Sequence, residues 1–308
     1  MTPQLYTPVA VPPFDFRIDF GSRVVTIGSC FADEIGRRLA DGGFAVNVNP
    51  FGTLYNPASV ASALERIIGC RMITEADLVE RDGLWHSWHH HGSFSRPTAA
   101  ETLEVCNSGI RAAHDALGKA TLLMVTFGTA WVYSLTPSPS PDGEGGGLHG
   151  VSTPLSLGRG GGGEVVVANC HKVPAERFVR RRMTVDEIVG LWTPLLGKLA
   201  EFNPRLTTLF TVSPIRHMAD GAHGNQLSKS ALLLAVEALP VHYFPAYEIV
   251  LDELRDYRFF SPDMAHPTAL AADIVYDRFQ HATMSPATIQ QAHNNAKAAR
   301  RAGHIPLH

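Results

Sequence analysis

The sequence has 308 residues, of which 45% are hydrophobic and 18% charged, a composition typical of a globular protein with a substantial buried core. Lys and Arg number 26 against 29 Asp and Glu, so the formal net charge of -3 gives no basic excess for binding nucleic acid. No stretch approaches ~18 uncharged apolar residues, and no cationic N-terminus precedes an apolar core, so we expect neither a membrane span nor a signal peptide. The four cysteines form no C-x-x-C pair, which favours reduced thiols in a cytoplasmic protein.

Apolar segments rich in β-branched residues alternate with helical patterns along the chain. The apolar segments lack strict alternation, which is typical of strands buried on both faces of a parallel sheet. They are Val24–Ile27, Phe44–Val48, Leu122–Phe127, Leu206–Val212 and Val241–Phe244. The intervening helices have start signals, such as Pro57 after Asn56 and a capping box at Thr184–Glu187. This alternation predicts an open, mostly parallel α/β sheet of five strands with helices on both faces.

The chain reads as one main domain with extensions. We predict an N-terminal extension over residues 1–20, a domain over residues 21–280, and a tail or peripheral helix over residues 281–308. Residues 136–163 are built mainly from Pro, Ser and Gly, which predicts a flexible surface insertion within the domain.

Small or polar residues follow four of the five predicted strands. Because ligands of open α/β sheets bind beyond the carboxyl ends of the strands, these segments are the candidate site. They are Gly28-Ser29-Cys30, Asn49 to Gly52, Gly128-Thr129-Ala130-Trp131, and Ser213 to His217. Asp263 and His266 lie three residues apart before a late helix, where the carboxylate could orient the imidazole as a base. The alternative interpretation of this pair is a plain helix-entry loop.

The first turn contains two potential nucleophiles, Ser29 and Cys30. A helix N-terminus stabilises an anion, so we expect a lowered pKa for Cys30, more so beside His266. Ser29 would need the histidine to remove its proton. The turn could also be a simple N-cap, and the cysteine a small buried apolar residue.

Several long motifs resemble the GSCFA family, which is named after the string at Gly28 to Ala32. The matching strings are "TIGSCFADEIGRRL", "NPFGTLYNP", "LWHSWHHHGSFS", "TFGTAWVY", "VVANCHKVP", "TVSPIRHMADGA" and "YFPAYEIVLDELRDYRFFSPDMAHP". They cover most of residues 24–280. The resemblance implies membership of the SGNH/GDSL hydrolases, which have a three-layer α/β/α, flavodoxin-like fold and cleave esters through a covalent acyl-enzyme.

The resemblance also implies residue roles. Cys30 takes the position of the nucleophile and Ser29 that of an aspartate, although a one-residue shift would exchange the two. Asp263 and His266 match the carboxylate and base, and Gly52 matches a glycine whose N–H, together with that of Cys30, receives the oxyanion. Ala130 stands where the superfamily has an asparagine donor, and loss of such a donor typically costs ~10²–10³ in rate. Asn49, Asn56 or Asn169 could replace it.

Other groups could line the cleft or compete for its chemistry. We expect Gly128, Thr129, Trp131, His86 and His171 to contact substrate, and Arg216 to hold an anionic group. The histidines between His86 and His91, with Cys170 and His171, could instead ligate metal, although their spacing matches no recognised pattern.

We therefore predict a hydrolase or acyltransferase that attacks a small-molecule ester, acylated sugar or lipid through Cys30, without a cofactor, metal or nucleic-acid partner. The alternatives are a non-catalytic small-molecule or glycan-binding module on the same fold, and a metal-dependent hydrolase.

Overall fold

The computed structural model describes residues 6–135, 155–156 and 164–303. The strands are β1 (Arg23–Gly28), β2 (Ala45–Val48), β3 (Leu78–Arg81), β4 (Leu84–Ser87), β5 (Leu122–Phe127), β6 (Trp131–Leu135), β7 (Leu155–Ser156), β8 (Glu164–Val167), β9 (Phe178–Arg182), β10 (Thr207–Val212) and β11 (His242–Tyr243). The helices are α1 (Cys30–Asp41), α2 (Pro57–Ile68), α3 (Ala99–Lys119), α4 (Val185–Phe202), α5 (Gly221–Glu237), α6 (Ala246–Glu248), α7 (Ala269–Thr283) and α8 (Pro286–Gly303).

The central sheet has five parallel strands in the order β11-β10-β5-β1-β2. Numbered within this sheet, the order is 2-1-3-4-5, which is the flavodoxin-like arrangement. All five strands predicted from the apolar segments are present, and β11 is shorter than predicted. The predicted α/β/α fold class is confirmed.

Helices cover both faces of the sheet and bury one apolar core on each. On one face, α2, α3, α4 and α5 pack around Trp192, whose ring lies 5.1 Å from the rings of both Phe127 and Phe210. On the other face, α1, α7 and α8 contribute apolar residues such as Ile35 and Phe279. Burial on both faces explains why the strands are continuously apolar.

A second sheet was not predicted from the sequence. Its order is β7-β8-β6-β9, and β6 pairs antiparallel with both β8 and β9. β9 carries three consecutive arginines and β6 alternates buried with partly exposed residues, so neither gives the continuous apolar signal of the central strands. The predicted insertion at residues 136–163 joins β6 to β8, and it lies outside the described residues except for β7.

The two ends of the described chain pack against one another. Phe14 donates its N–H to the carbonyl of Ala282 at 3.0 Å, and Ile18 donates to that of Thr283 at 2.8 Å. The C-terminal region contains helix α8. Among the described residues, no helix is both long enough and apolar enough to cross a membrane.

Candidate active site

A cavity of about 460 Å³ lies at the carboxyl ends of β1, β5 and β10. This is the edge at which α/β sheets of this kind bind ligands. Strands β6 and β8 of the second sheet supply the facing wall, with Trp131 and Tyr133 on β6 and Val167 on β8. The predicted site residues that line the cavity are Ser29, Cys30, Gly128, Thr129, Trp131, Asn169, Arg216 and His266.

The turn between β1 and α1 can form only with glycine at its start. Gly28 has φ 135, and a Cβ there would lie 2.1 Å from the carbonyl oxygen of Thr126 on the neighbouring strand. The N–H of Gly28 donates to Asn49 Oδ1 at 2.8 Å, and that of Ser29 donates to the Thr126 carbonyl at 3.1 Å. These contacts fix the backbone that carries both potential nucleophiles.

Ser29 and Cys30 have different environments on this turn. Ser29 is 1% exposed and caps α1, because its Oγ accepts a hydrogen bond from the N–H of Phe31 at 3.3 Å. Cys30 is the first residue of α1 and is only partly buried. Of the two side chains, the thiol is therefore the more accessible from the cavity.

The expectation that Cys30 has a lowered pKa is wrong. Burial raises the pKa of this thiol, and the nearby Asp33 carboxylate raises it further. The N–H of Cys30 and the ammonium of Lys229 act in the opposite direction but do not outweigh burial. Cys30 is thus a protonated thiol at neutral pH, and its reaction needs a base.

His266 and Asp263 form the predicted pair. His266 Nδ1 lies 2.6 Å from Asp263 Oδ2, which leaves Nε2 as the ring nitrogen available in the cavity. The other oxygen of Asp263 accepts the N–H groups of His266 at 3.0 Å and Ala265 at 2.9 Å. These hydrogen bonds lower the pKa of Asp263 to about 2, so the carboxylate stays ionised and can orient the imidazole.

Of the two backbone donors predicted for an oxyanion hole, those of Cys30 and Gly52, the Gly52 N–H is already engaged. The N–H of Gly52 donates to the Asn49 carbonyl at 2.7 Å, and Gly52 does not line the cavity. The N–H groups of Gly128 and Thr129 both donate to the Tyr55 carbonyl, at 2.8 and 2.9 Å. The structure therefore corrects the assignment of Gly52, since a backbone N–H that is bonded within a turn cannot receive an oxyanion in this conformation.

The three candidate asparagines differ in their surroundings. Asn49 lies behind the turn, where its Nδ2 donates to Asp33 Oδ1 at 2.7 Å, and it does not line the cavity. Asn56 and Asn169 do line it. Asn56 Oδ1 accepts the N–H of Ser59 at 2.8 Å as the cap of α2, and its Nδ2 has no hydrogen bond within the described part of the chain. Asn56 thus presents a free amide donor at the cavity.

The motifs of this chain match the model of the GSCFA family over residues 23–140 and 161–279. The chain belongs to the GSCFA family. No curated protein matches it. Among solved structures, this GSCFA protein is similar to a carbohydrate esterase family 3 from Talaromyces cellulolyticus, with 10% identity, a TM-score of 0.36, and coverage of 89% of this chain and 99% of that chain. A likeness at this level carries no argument about function.

Sequence reasoning missed one group below the cavity, Lys229. This lysine of α5 is 1% exposed, and its Nζ donates to the carbonyls of Gly128 at 2.6 Å and Ser213 at 2.7 Å. It links the ends of β5 and β10, both of which line the cavity. Burial lowers the pKa of Lys229 to about 7. The only sequence signal was that Lys229 lies within the predicted helix α5. A lysine in a helix is normally assumed to be exposed.

The histidine-rich segment does not line the cavity, contrary to the prediction for His86 and His171. Their rings lie 4.6 Å apart, outside the cavity lining. His86 Nδ1 bonds Ser95 Oγ at 2.6 Å, and His171 Nε2 bonds the Ser87 carbonyl at 2.8 Å. Within the described residues, no three His, Cys, Asp or Glu side chains are grouped so that they could hold a metal ion.

Proposed function

We propose that this GSCFA protein is an acyl-transfer hydrolase of the SGNH type, with Cys30 as nucleophile and His266 as base. One observation carries the proposal: the thiol of Cys30 and an imidazole oriented by Asp263 at 2.6 Å line the same cavity. Gly28-Ser29-Cys30 and Asp263-x-x-His266 also stand at the positions of the catalytic motifs of the SGNH hydrolases, which the GSCFA motifs resemble.

The raised pKa of Cys30 determines the first step. His266 Nε2 takes the thiol proton as the sulfur attacks the ester carbonyl, because too little thiolate is present beforehand. An S–C bond forms and the carbonyl electron pair moves onto oxygen. When this intermediate collapses, the C–O bond breaks and the alcohol leaves with the proton from His266. Water then cleaves the thioester with the same base, whereas a sugar or lipid hydroxyl in its place would make the protein an acyltransferase.

The oxyanion in this mechanism is received by Cys30 and Asn56. The Cys30 N–H is at the first position of α1, where a helix has no internal acceptor for it. Asn56 supplies a side-chain amide whose Nδ2 is free among the described contacts and whose Oδ1 is fixed by capping α2. Asn56 would therefore replace the asparagine that the superfamily carries at the position of Ala130.

The rival function is a non-catalytic binding module on the same fold. Two observations favour it: the raised pKa of Cys30 and the alanine at position 130. A binding module would keep the cavity but would form no covalent adduct. The two functions therefore differ in a directly measurable product.

The test is covalent trapping with p-nitrophenyl acetate, followed by peptide mass spectrometry. We expect an acetyl group on Cys30 and a burst of p-nitrophenol, both abolished in Cys30→Ala and His266→Ala. Cys170→Ala is the matched control, because Cys170 lines the same cavity and burial raises its pKa to about 11. An adduct on Ser29 would move the nucleophile by one residue, and no adduct on either residue would favour the binding module.

The assignment of Asn56 as an oxyanion donor is tested by comparing two asparagine variants. Asn56→Ala should lower the acylation rate by ~10²–10³, whereas Asn169→Ala at the same cavity should change it little. Equal losses in the two variants would contradict the role given to Asn56.

A further inference from the structure

The cavity contains only neutral and cationic groups among the described residues that line it. Arg216, His217 and His266 line the cavity, and no aspartate or glutamate does. Lys229 adds a buried amine directly beneath, bonded to two lining residues. A lining of this composition favours an anionic ligand beside its cationic groups.

Three carboxylates near this cavity already have hydrogen-bond or ion-pair partners. Asp263 orients His266. Asp220 binds Arg180, with one contact at 2.7 Å. Asp33 accepts hydrogen bonds from Asn49 and Thr53. Asp263 lies 2.6 Å from the His266 ring and Asp220 lies 4.0 Å from His217 Nε2, so both lining histidines have a carboxylate partner. Among the described residues, Arg216 is the cationic lining group without one.

Arg216 is the group best placed to bind an anion. Arg216 is partly buried. Its backbone N–H donates to the Ala265 carbonyl at 3.0 Å, so Arg216 is attached to the loop that carries His266. Its guanidinium has no ion pair or hydrogen bond among the described residues. The neighbouring Arg180, by contrast, binds Asp220 and donates through Nε to the Tyr133 hydroxyl at 2.8 Å.

The chemistry of the guanidinium fixes the class of ligand. Its planar set of five N–H donors matches a two-oxygen anionic group, a carboxylate or a phosphate, in a bidentate arrangement. Trp131 also lines the cavity and supplies an aromatic ring, over which the Arg180 guanidinium carbon lies 3.8 Å from the ring centroid. A ligand with one anionic end and one apolar part would match both walls.

We propose that the natural substrate is an ester that also carries a carboxylate or phosphate group, and that Arg216 binds this group. The proposal rests on the function proposed above and narrows its substrate class. It makes Arg216 a residue that determines specificity.

The test compares three esters in the full-length protein: phenyl acetate, and the same ester with a carboxylate or a phosphate on the ring. We expect higher kcat/KM for one or both anionic esters. Arg216→Gln should lower the ratio of anionic to neutral kcat/KM by about 10- to 100-fold, the loss expected for a charge-assisted hydrogen-bonded pair. The anionic ester whose kcat/KM falls more in Arg216→Gln indicates whether the natural group is a carboxylate or a phosphate.

Arg205→Gln is the matched control, because Arg205 precedes β10 at the opposite end of the sheet from the cavity. It should leave the ratio unchanged. Turnover of all three esters with a ratio unaffected by Arg216→Gln would overturn this inference and leave the hydrolase standing.

A binding measurement covers the case in which no ester is turned over. Benzoate and phenyl phosphate are titrated calorimetrically into Cys30→Ala protein, with and without Arg216→Gln. Weaker binding in the double variant would support the anion site although the hydrolase had failed, and equal binding would overturn the site as well.

Discussion

Replacement of Lys229 by methionine should remove a large pH dependence of stability. Burial holds the pKa of Lys229 at about 7 in the folded protein, against an ordinary value of 10.5. Between these values the unfolded chain binds more protons than the folded one, so the free energy of unfolding rises with pH. Below about pH 7 both states carry the proton, and the folded protein bears the full cost of the buried charge.

The size of this effect follows from the pKa difference. A difference from 10.5 to about 7 corresponds to about 5 kcal/mol, or about 1.4 kcal/mol for each pH unit within the window. Methionine has no titrating group, so this contribution vanishes in the variant. The variant also leaves the carbonyls of Gly128 and Ser213 without their donor, which costs about 1–3 kcal/mol for each at every pH.

The assay is urea unfolding at pH 7, 8 and 9 for the wild type and Lys229→Met. The difference in unfolding free energy between them should grow by about 1 kcal/mol from pH 7 to 8 and by about 1.3 kcal/mol from pH 8 to 9, because Lys229 is half titrated at pH 7. Lys198→Met is the control, since Lys198 is exposed and pairs with Glu65 at 2.7 Å, and its curve should run parallel to the wild type. Lys229→Gln, whose amide can still donate, replaces the methionine variant if the latter does not fold. Parallel curves for Lys229 variants and wild type would refute the argument that a desolvated ammonium lies under the cavity.

Two further predictions concern the turn that carries Cys30. Ser29→Ala should cost about 1 kcal/mol in urea unfolding through loss of the cap of α1, yet retain acetylation of Cys30; loss of acetylation with the fold intact would contradict Cys30 as nucleophile. Gly28→Ala should lower stability by several times the cost of Gly83→Ala, because both positions have positive φ but only the Cβ at Gly28 meets backbone, at 2.1 Å from Thr126. Similar melting temperatures for the two alanine variants would show that the β1 turn can relax.

The central sheet could be predicted from the sequence because its strands are apolar on both faces. The segment Leu122–Phe127 is buried along its whole length, so nearly all of its residues are apolar and the strand is visible in the sequence. β9, by contrast, is a strand whose arginines are stabilised by partners far away in sequence, such as Arg180 with Asp220. No local pattern contains that information.

The positions of site residues could be predicted where a sequence motif marks them. The hydrogen bonds and pKa values of those residues could not be predicted, because tertiary contacts determine them. Cys30 and His266, which the motifs singled out, both line one cavity. The engagement of the Gly52 N–H and the burial that raises the pKa of Cys30 depend on how the loops pack. Lys229 was invisible for the same reason, because only the folded chain shows that its amine is enclosed.

The nucleophile and the base of the proposed mechanism come from distant parts of the chain. Cys30 begins the first helix, whereas His266 lies three residues before α7 begins at Ala269. The hydrogen bond from Phe14 to Ala282 joins the two ends of the described chain. Contacts so distant along the chain require closure of very long loops, which costs conformational entropy. A growing chain therefore carries the thiol turn for most of its synthesis without an imidazole to activate it. Acyl transfer by the proposed mechanism therefore requires that the chain has been synthesised at least as far as His266.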